Sequence, residues 1–111
     1  MNNMRPIHPG EILKAEYLEP LNMSANALAI ALHVPAPRIY DIVRKKRAVT
    51  PDTALRLSRY FGGDAQSWLN LQTSYDLKIA QQSITTIEKE IFPLIYWIIF
   101  DSKHKFHFCT G

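Results

Sequence analysis

The sequence predicts an all-α fold of five short helices between residues 8 and 80, followed by a C-terminal extension, so that residues 1–81 and 82–111 are the two predicted regions. Residues typical of helix ends recur at short intervals, and apolar residues between them repeat every three or four positions. No alternating strand pattern appears before residue 82. A chain of 111 residues is long enough for one hydrophobic core.

The first helix is predicted to begin at Pro9, because proline suits the first helical position and His8 can cap it. Pro20 and Asn22 predict its end. Its apolar positions, which fall on a helical period, are Ile12, Leu13, Tyr17 and Leu21.

The second and third helices are predicted to form a closely spaced pair. Ser24 is a good N-cap for the second helix, residues 25–32, in which Leu28 and Ala31 share one face. A short turn at His33 and Val34 follows. Two prolines, Pro35 and Pro37, open the third helix, which runs to about Arg44. Its apolar stripe consists of Ile39, Ile42 and Val43.

The fourth helix has the clearest start in the chain. Thr50 is a cap, Pro51 fits the first helical position, and Asp52 adds a negative charge that the helix dipole favours. Its repeating positions are Ala54, Leu57, Ser58 and Phe61, and Gly62-Gly63 ends it.

The fifth helix is predicted from Ala65 to about Gln81, with Asp64 as its cap. Its candidate packing face consists of Trp68, Leu69, Gln72, Tyr75 and Ile79. Residues 84–90 suit a helix. The following LIYWIIF is compatible with a strand or an apolar helix, and the final KHKFHFCTG with a half-buried strand or a frayed end; both choices stay open.

The positive charge is concentrated in one segment. Residues 35–60 contain seven Lys or Arg and two Asp, a net +5, whereas residues 1–34 and 61–111 each carry −1. A concentrated basic segment is typical of a surface that meets phosphates, and it is equally compatible with an ordinary solvated surface.

A pair of short helices followed by basic residues is the candidate functional site, because a helix fits the major groove of DNA and a second helix braces it. The exposed positions at the start of the third helix are Ala36, Arg38, Tyr40 and Asp41. Arg38 is suited to a bidentate contact with guanine, and Tyr40 to a thymine methyl or a phosphate. Asp41 is suited to cytosine or to orienting Arg38 or Arg44. The basic run at Arg44, Lys45, Lys46 and Arg47 suits phosphates. The alternative is an all-α bundle whose third helix has a solvated basic end.

Other classes of function find little support. No signal peptide is recognisable, the apolar run at residues 91–100 is too short to span a bilayer, and a single cysteine suits a reducing cytoplasm. His104, His107 and Cys109 have metal-binding side chains, but three residues in a tail whose secondary structure is undecided are weak evidence for a metal site. There is no phosphate-binding glycine loop and no paired acids, so we expect no enzyme activity, metal or cofactor.

Three segments resemble the HigA/VapI family of antitoxins, which are lambda-repressor-like helix-turn-helix proteins. They are HPGEILKAEYLEPLNMS, VPAPRIYDIVRKKRAVTPDTALRLSRYFGG and WLNLQTSYDLKIA, and together they cover about residues 7–80. The resemblance is specific because DTALRLSRYFG and WLNLQ both occur at the family's spacing. A weaker similarity continues through IEKEIFPL.

The resemblance implies a homodimer that binds palindromic operator DNA in its own promoter and pairs with a HigB-type toxin, a small ribosome-associated endoribonuclease. It puts the recognition helix on residues 35–44. The base-contact candidates that it implies are Ala36, Pro37, Arg38 and Asp41, and the backbone-contact candidates are Ser24, Asn26, Lys46, Arg47 and Thr50. It implies a packing or dimer role for Trp68, Leu69 and Gln72, with Tyr75 on the same helix.

The chain departs from the family pattern in two places. Lys45 stands where the family usually has a glycine that ends the recognition helix in a left-handed conformation, so either Lys45 adopts that conformation at a cost of roughly 1 kcal/mol or the helix ends differently. Residues 95–111 extend past the usual end; a strand, a dimer contact, a toxin contact and no function are all open. Two other functions also stay open: a stand-alone repressor, and a protein-interaction module whose DNA surface has decayed.

Overall fold

The computed structural model describes residues 5–95, and every regular element within them is helical, which confirms the all-α prediction. Helix α1 covers Pro9–Ile12 and continues directly as a π-helical segment over Leu13–Leu18. The remaining helices are α2 at Ala25–Leu32, α3 at Ala36–Val43, α4 at Pro51–Phe61, α5 at Ala65–Gln81 and α6 at Ile84–Glu90. None of the helices in this part of the chain is both long and apolar enough to cross a membrane.

The helices begin where the local signals predict. The four predicted caps each accept a backbone N–H hydrogen bond, as when Asp64 Oδ1 accepts from Ser67 at 2.8 Å; they are His8, Ser24, Thr50 and Asp64. Gly62 and Gly63 end α4 with φ angles of 92° and 82°. Such left-handed backbone is open to glycine at little steric cost.

One hydrophobic core lies between the helices up to α5. Its members come from the π-helical segment, from α2 to α5 and from the loop before α4: Leu13, Leu18, Leu28, Ala29, Leu32, Ile39, Ile42, Val49, Ala54, Leu57 and Trp68. Helix α1 approaches α3 closely at Gly10, where an added Cβ would overlap the carbonyl oxygen of Ile42. Glycine is therefore required at residue 10 for this helix packing.

The predicted face of the first helix is partly wrong. Leu21 is 59% exposed, and Leu18 is buried in its place. The reason is the π-helical segment, in which the N–H of Glu19 donates to the carbonyl of Lys14 at 2.9 Å, five residues back. This widened turn brings Leu18 onto the same face as Leu13.

Two further positions of the predicted packing faces differ. In α2 the buried residues are Leu28, Ala29 and Leu32, whereas Ala31 is only half-buried, so the predicted face is turned slightly. In α5 the last predicted position, Ile79, is exposed, and so is Leu77 beside it. The packed face of α5 ends near Tyr75 because the helix continues past the core there.

The chain divides into two units after Ile79, and α5 runs through this point. In the second unit, the predicted helix over residues 84–90 is confirmed as α6, and all residues from 81 to 95 are exposed. The strand-or-helix choices for residues 96–111 lie outside the described residues, as do His104, His107 and Cys109.

Candidate nucleic-acid interface

Helices α2 and α3 form the predicted helix-turn-helix pair. The turn between them begins at His33, which has left-handed backbone with φ of 59°, as expected of a turn residue. The N–H of Val34 then donates to the carbonyl of Ala29 at 3.0 Å, closing the end of α2. The turn is braced from outside the pair, because Arg56 of α4 donates from Nη1 to the carbonyl of Leu32 at 2.8 Å.

The outer face of α3 carries the candidate base-contact residues. Ile39 and Ile42 are fully buried on its inner face. The residues around them are exposed or half-buried: Ala36, Pro37, Arg38, Tyr40, Asp41 and Arg44. The structure thus brings five of these candidates together on α3, with Arg44 as its C-cap, and the inner apolar stripe sets their orientation.

The loop after α3 carries the candidate phosphate-contact residues. Lys45, Lys46, Arg47 and Thr50 are all exposed. Lys45 has φ of 68°, so the left-handed end of α3 occurs here without glycine. The N–H of Lys46 donates to the carbonyl of Asp41 at 2.8 Å and the N–H of Lys45 to Ile42 at 2.9 Å, which is the Schellman pattern of a helix end.

Arg38 is held by an acid that the sequence assigned only to a helix start. Its Nη1 donates to Asp52 Oδ2 at 2.8 Å, and Arg56 Nε donates to the same oxygen at 3.0 Å. Hydrogen bonds from Arg56 and Arg38 hold the pKa of the Asp52 carboxyl below its ordinary 3.8. The suggestion that Asp41 orients Arg38 or Arg44 is wrong, since the Asp41 carboxylate lies 3.7 Å from Arg47 Nη2.

Ser24 and Asn26 begin α2, and both are exposed. Ser24 Oγ accepts the N–H of Ala27 at 3.0 Å, which leaves its hydroxyl hydrogen free to donate elsewhere. A concavity of about 310 Å³ lies beside α3, lined by Arg38, Arg47, Ala48, Thr50 and Thr53. Two guanidinium groups therefore border a recess at the start of α4.

Comparisons with known proteins agree with this geometry. A helix-turn-helix family model matches residues 14–68. Virulence-associated protein I of Dichelobacter nodosus is 65% identical over 86 residues, which are 78% of this chain and 80% of that protein. The antitoxin HigA of Pseudomonas aeruginosa, solved with the higBA promoter, is 52% identical, with a TM-score of 0.79 over 81% of this chain and 99% of that one. The chain belongs to the HigA/VapI family.

A second solved member of the HigA/VapI family has the same fold. The HigA-family addiction module antidote protein of Coxiella burnetii is 49% identical, with a TM-score of 0.76 over 81% of this chain and 99% of that chain. The helix-turn-helix fold expected from the resemblance is therefore shown.

In this HigA/VapI protein, the two end residues of the WLNLQ segment face inward. Trp68 is buried, with its ring centroid 5.5 Å from that of Tyr17. Gln72 is also buried, and its Oε1 accepts the N–H of Val49 at 2.8 Å. Leu69 and Tyr75 are half-buried. Gln72 thus fixes the loop that carries the basic residues.

The start of α1 is tied to the same loop. His8 is buried and accepts the N–H of Gly10 on Nδ1 at 2.9 Å, while its ring lies 4.8 Å from that of Tyr75. Glu11 pairs with Arg5 at 2.8 Å and lies 3.8 Å from Lys45 Nζ. The hydrogen bond from Arg5 is the main reason that the pKa of Glu11 falls to about 2.

Two residues of this surface were missed as functional candidates by the sequence reasoning, Asp52 and Arg56. Their four-residue spacing on one helix was the available signal, because it allows an acid–base pair. Their contacts with Arg38 and Leu32 join different helices and have no sequence signature. Within residues 5–95, no cluster of His, Cys, Asp and Glu has the arrangement of a metal site.

Proposed function

We propose that this protein is the DNA-binding antitoxin of a HigB/HigA-type toxin–antitoxin system, which represses its own promoter as a homodimer and neutralises a toxin ribonuclease. The observation that carries the proposal is its 52% identity to an antitoxin HigA that was solved with the higBA promoter. The exposed outer face of α3 and the basic loop after it supply the chemistry that such binding needs.

The proposed binding mode puts α3 in the major groove. Arg38 hydrogen-bonds the O6 and N7 atoms of a guanine, and Ala36, Pro37, Tyr40 and Asp41 line the same groove. Phosphates on either side meet two sets of residues: Ser24 and Asn26 at the start of α2, and Arg44, Lys45, Lys46, Arg47 and Thr50 around the loop. A two-fold dimer then requires half-sites about 10 base pairs apart.

A gel-shift titration against the protein's own upstream DNA tests the repressor half. At two salt concentrations, the upstream duplex is expected to bind at least about 1,000-fold more tightly than a scrambled duplex of equal length. Equal weak binding to both duplexes, lost with added salt, would contradict the proposal and favour an interaction module with a decayed DNA surface.

Two single variants separate sequence recognition from phosphate contact. Arg38→Ala should remove discrimination at one base pair per half-site, whereas Lys46→Ala should weaken binding to every duplex and lower the salt slope by about 1. Lys14→Ala, which removes an exposed cation outside the helix pair and the loop, is the charge-matched control. If all three variants behave alike, the proposed binding mode is wrong.

The toxin half is tested by co-expression with a HigB-type ribonuclease, ideally one encoded beside this gene. Growth should be restored by the wild-type protein and equally by Arg38→Ala, because DNA recognition and toxin neutralisation are proposed as separate activities. A lack of rescue, with operator binding intact, would favour a stand-alone repressor instead.

A further inference from the structure

The guanidinium of Arg38 has one defined orientation in the free protein. Within residues 5–95 the guanidinium makes one hydrogen bond, from Nη1 to Asp52, and the side chain remains 29% exposed. An arginine has five donors, so the Nε and Nη2 edge stays available as a bidentate pair. The ion pair therefore engages Nη1 of Arg38 and leaves the Nε/Nη2 edge for a ligand.

Asp52 is itself anchored, which makes this orientation firm. Its Oδ2 also accepts from Arg56 Nε at 3.0 Å, and Arg56 Nη1 donates to the carbonyls of Leu32 at 2.8 Å and His33 at 3.4 Å. A continuous chain of hydrogen bonds thus runs from the turn of the helix pair, through α4, to the side chain at the start of α3.

The charges of Arg38, Arg56 and Asp52 indicate that Asp52 orients Arg38 for a ligand rather than withholding it from one. Two guanidinium groups share one carboxylate, so the cluster keeps a net positive charge beside the outer face of α3. An exposed ion pair contributes little to folding stability, but it restricts a side chain that otherwise samples many rotamers. Restricting a binding group before the partner arrives is a general route to specificity.

We infer that Asp52 is a specificity-determining positioning residue: it holds Arg38 in the orientation in which the free Nε/Nη2 edge meets one base pair of the operator. This inference rests on the proposed function. In this inference, Asp52 contacts no base itself but contributes, through Arg38, to the choice of the DNA sequence that is bound.

The test measures affinity against a panel of operator duplexes, each with one base pair changed, by fluorescence anisotropy. Arg38→Ala first identifies the base pair that Arg38 recognises, as the position where discrimination is lost. Asp52→Asn should then lower discrimination at that same position from about tenfold to about threefold or less, and leave the other positions unchanged.

Further variants separate orientation from charge. Asp52→Glu keeps the charge but moves the carboxylate by one methylene, so it should also lose discrimination at that position. Glu16→Gln removes an exposed carboxylate that joins no ion pair in the described part of the chain, and it should change nothing beyond a general gain in affinity. In the Arg38→Ala background, Asp52→Asn should have no effect on discrimination.

Three results would overturn the inference alone: Asp52→Asn keeps full discrimination, weakens it equally at all positions, or sharpens it, in which case Asp52 sequesters Arg38. If Arg38→Ala loses discrimination at no position, both the inference and the proposed contact of Arg38 with a guanine are wrong, although the antitoxin assignment can still hold. Circular dichroism of each variant checks that the fold is retained. If the wild-type protein itself fails to distinguish its upstream DNA from a scrambled duplex, the proposed function fails, and the inference with it.

Discussion

Replacing Gln72 by Leu tests how the basic loop is held in place. Gln72 Oε1 accepts the N–H of Val49 at 2.8 Å, and its Nε2 donates to Asp76 Oδ1 at 2.9 Å. Val49 is buried, so water cannot replace this acceptor for its N–H when Gln72 is changed. Leucine has a similar size and leaves the apolar contacts of α5 largely intact.

The magnitude follows from the buried amide. An unsatisfied buried donor lowers the free energy of unfolding by about 1–3 kcal/mol. Since each kcal/mol shifts the Tm of a domain of this size by about 4–8 °C, Gln72→Leu should lower Tm by about 10 °C. The basic loop also loses its anchor, so affinity for all duplexes should fall together.

Thermal unfolding followed by circular dichroism measures this effect, with Gln66→Leu as the matched control. Gln66 lies on the same helix and donates to Asn70 at 3.0 Å, but this bond is exposed and does not involve the loop. Gln66→Leu should therefore change Tm by only a degree or two. Equal Tm values for the two variants would refute the argument that Gln72 stabilises the loop through Val49.

Three further changes have defined outcomes. Gly10→Ala should lower the free energy of unfolding in urea by about 1–3 kcal/mol or more, because the new Cβ overlaps the Ile42 carbonyl oxygen. His8 should make stability pH-dependent, because burial lowers its folded pKa below the ordinary 6.5. Its contribution to stability is complete above pH 6.5 and is lost as the pH falls from 6.5 towards the folded pKa. Over that range, Tm measured against pH should show a slope that His8→Asn lacks. Lys45→Gly should raise the unfolding free energy by up to about 1 kcal/mol, because glycine adopts a φ of 68° without strain, and should lower the salt slope of DNA binding by about 1.

Each of these expectations has its own contrary result. Gly63→Ala controls the first, since no atom of residues 5–95 lies within 4 Å of the added Cβ although its φ is 82°; Gly10→Ala must be the more damaging change. A wild-type Tm slope below pH 6.5 that persists in His8→Asn would assign the titration to another group. A loss of stability in Lys45→Gly would mean that the contact between Lys45 and Glu11 outweighs the backbone strain.

The candidate site was predictable to the extent that it depends on one helix. The inner stripe of α3 was recognisable from Ile39 and Ile42, and it decides that Arg38, Tyr40 and Asp41 lie on the outer face. The partners of these side chains were not predictable. One of the two roles predicted for Asp41 was to orient Arg38 or Arg44, whereas its carboxylate lies near Arg47 in the loop.

Local sequence signals are enough to predict where most helices of this protein begin and end. Ser24, Thr50 and Asp64 cap their helices through residues only three positions away, and Gly62 ends α4 through its own backbone freedom. Such signals act within one helical turn, so they do not depend on the rest of the fold.

Which side chains meet across the helices depends on the packing of the whole domain. Asp52 meets Arg38 from 14 residues away, and Gln72 reaches Val49 across 23. The α-helical period predicts Leu21 in the core, whereas the π-helical turn puts Leu18 there instead. These contacts depend on how the packed core places one helix against another, because a hydrogen bond or ion pair forms only where packing brings both groups within about 3 Å.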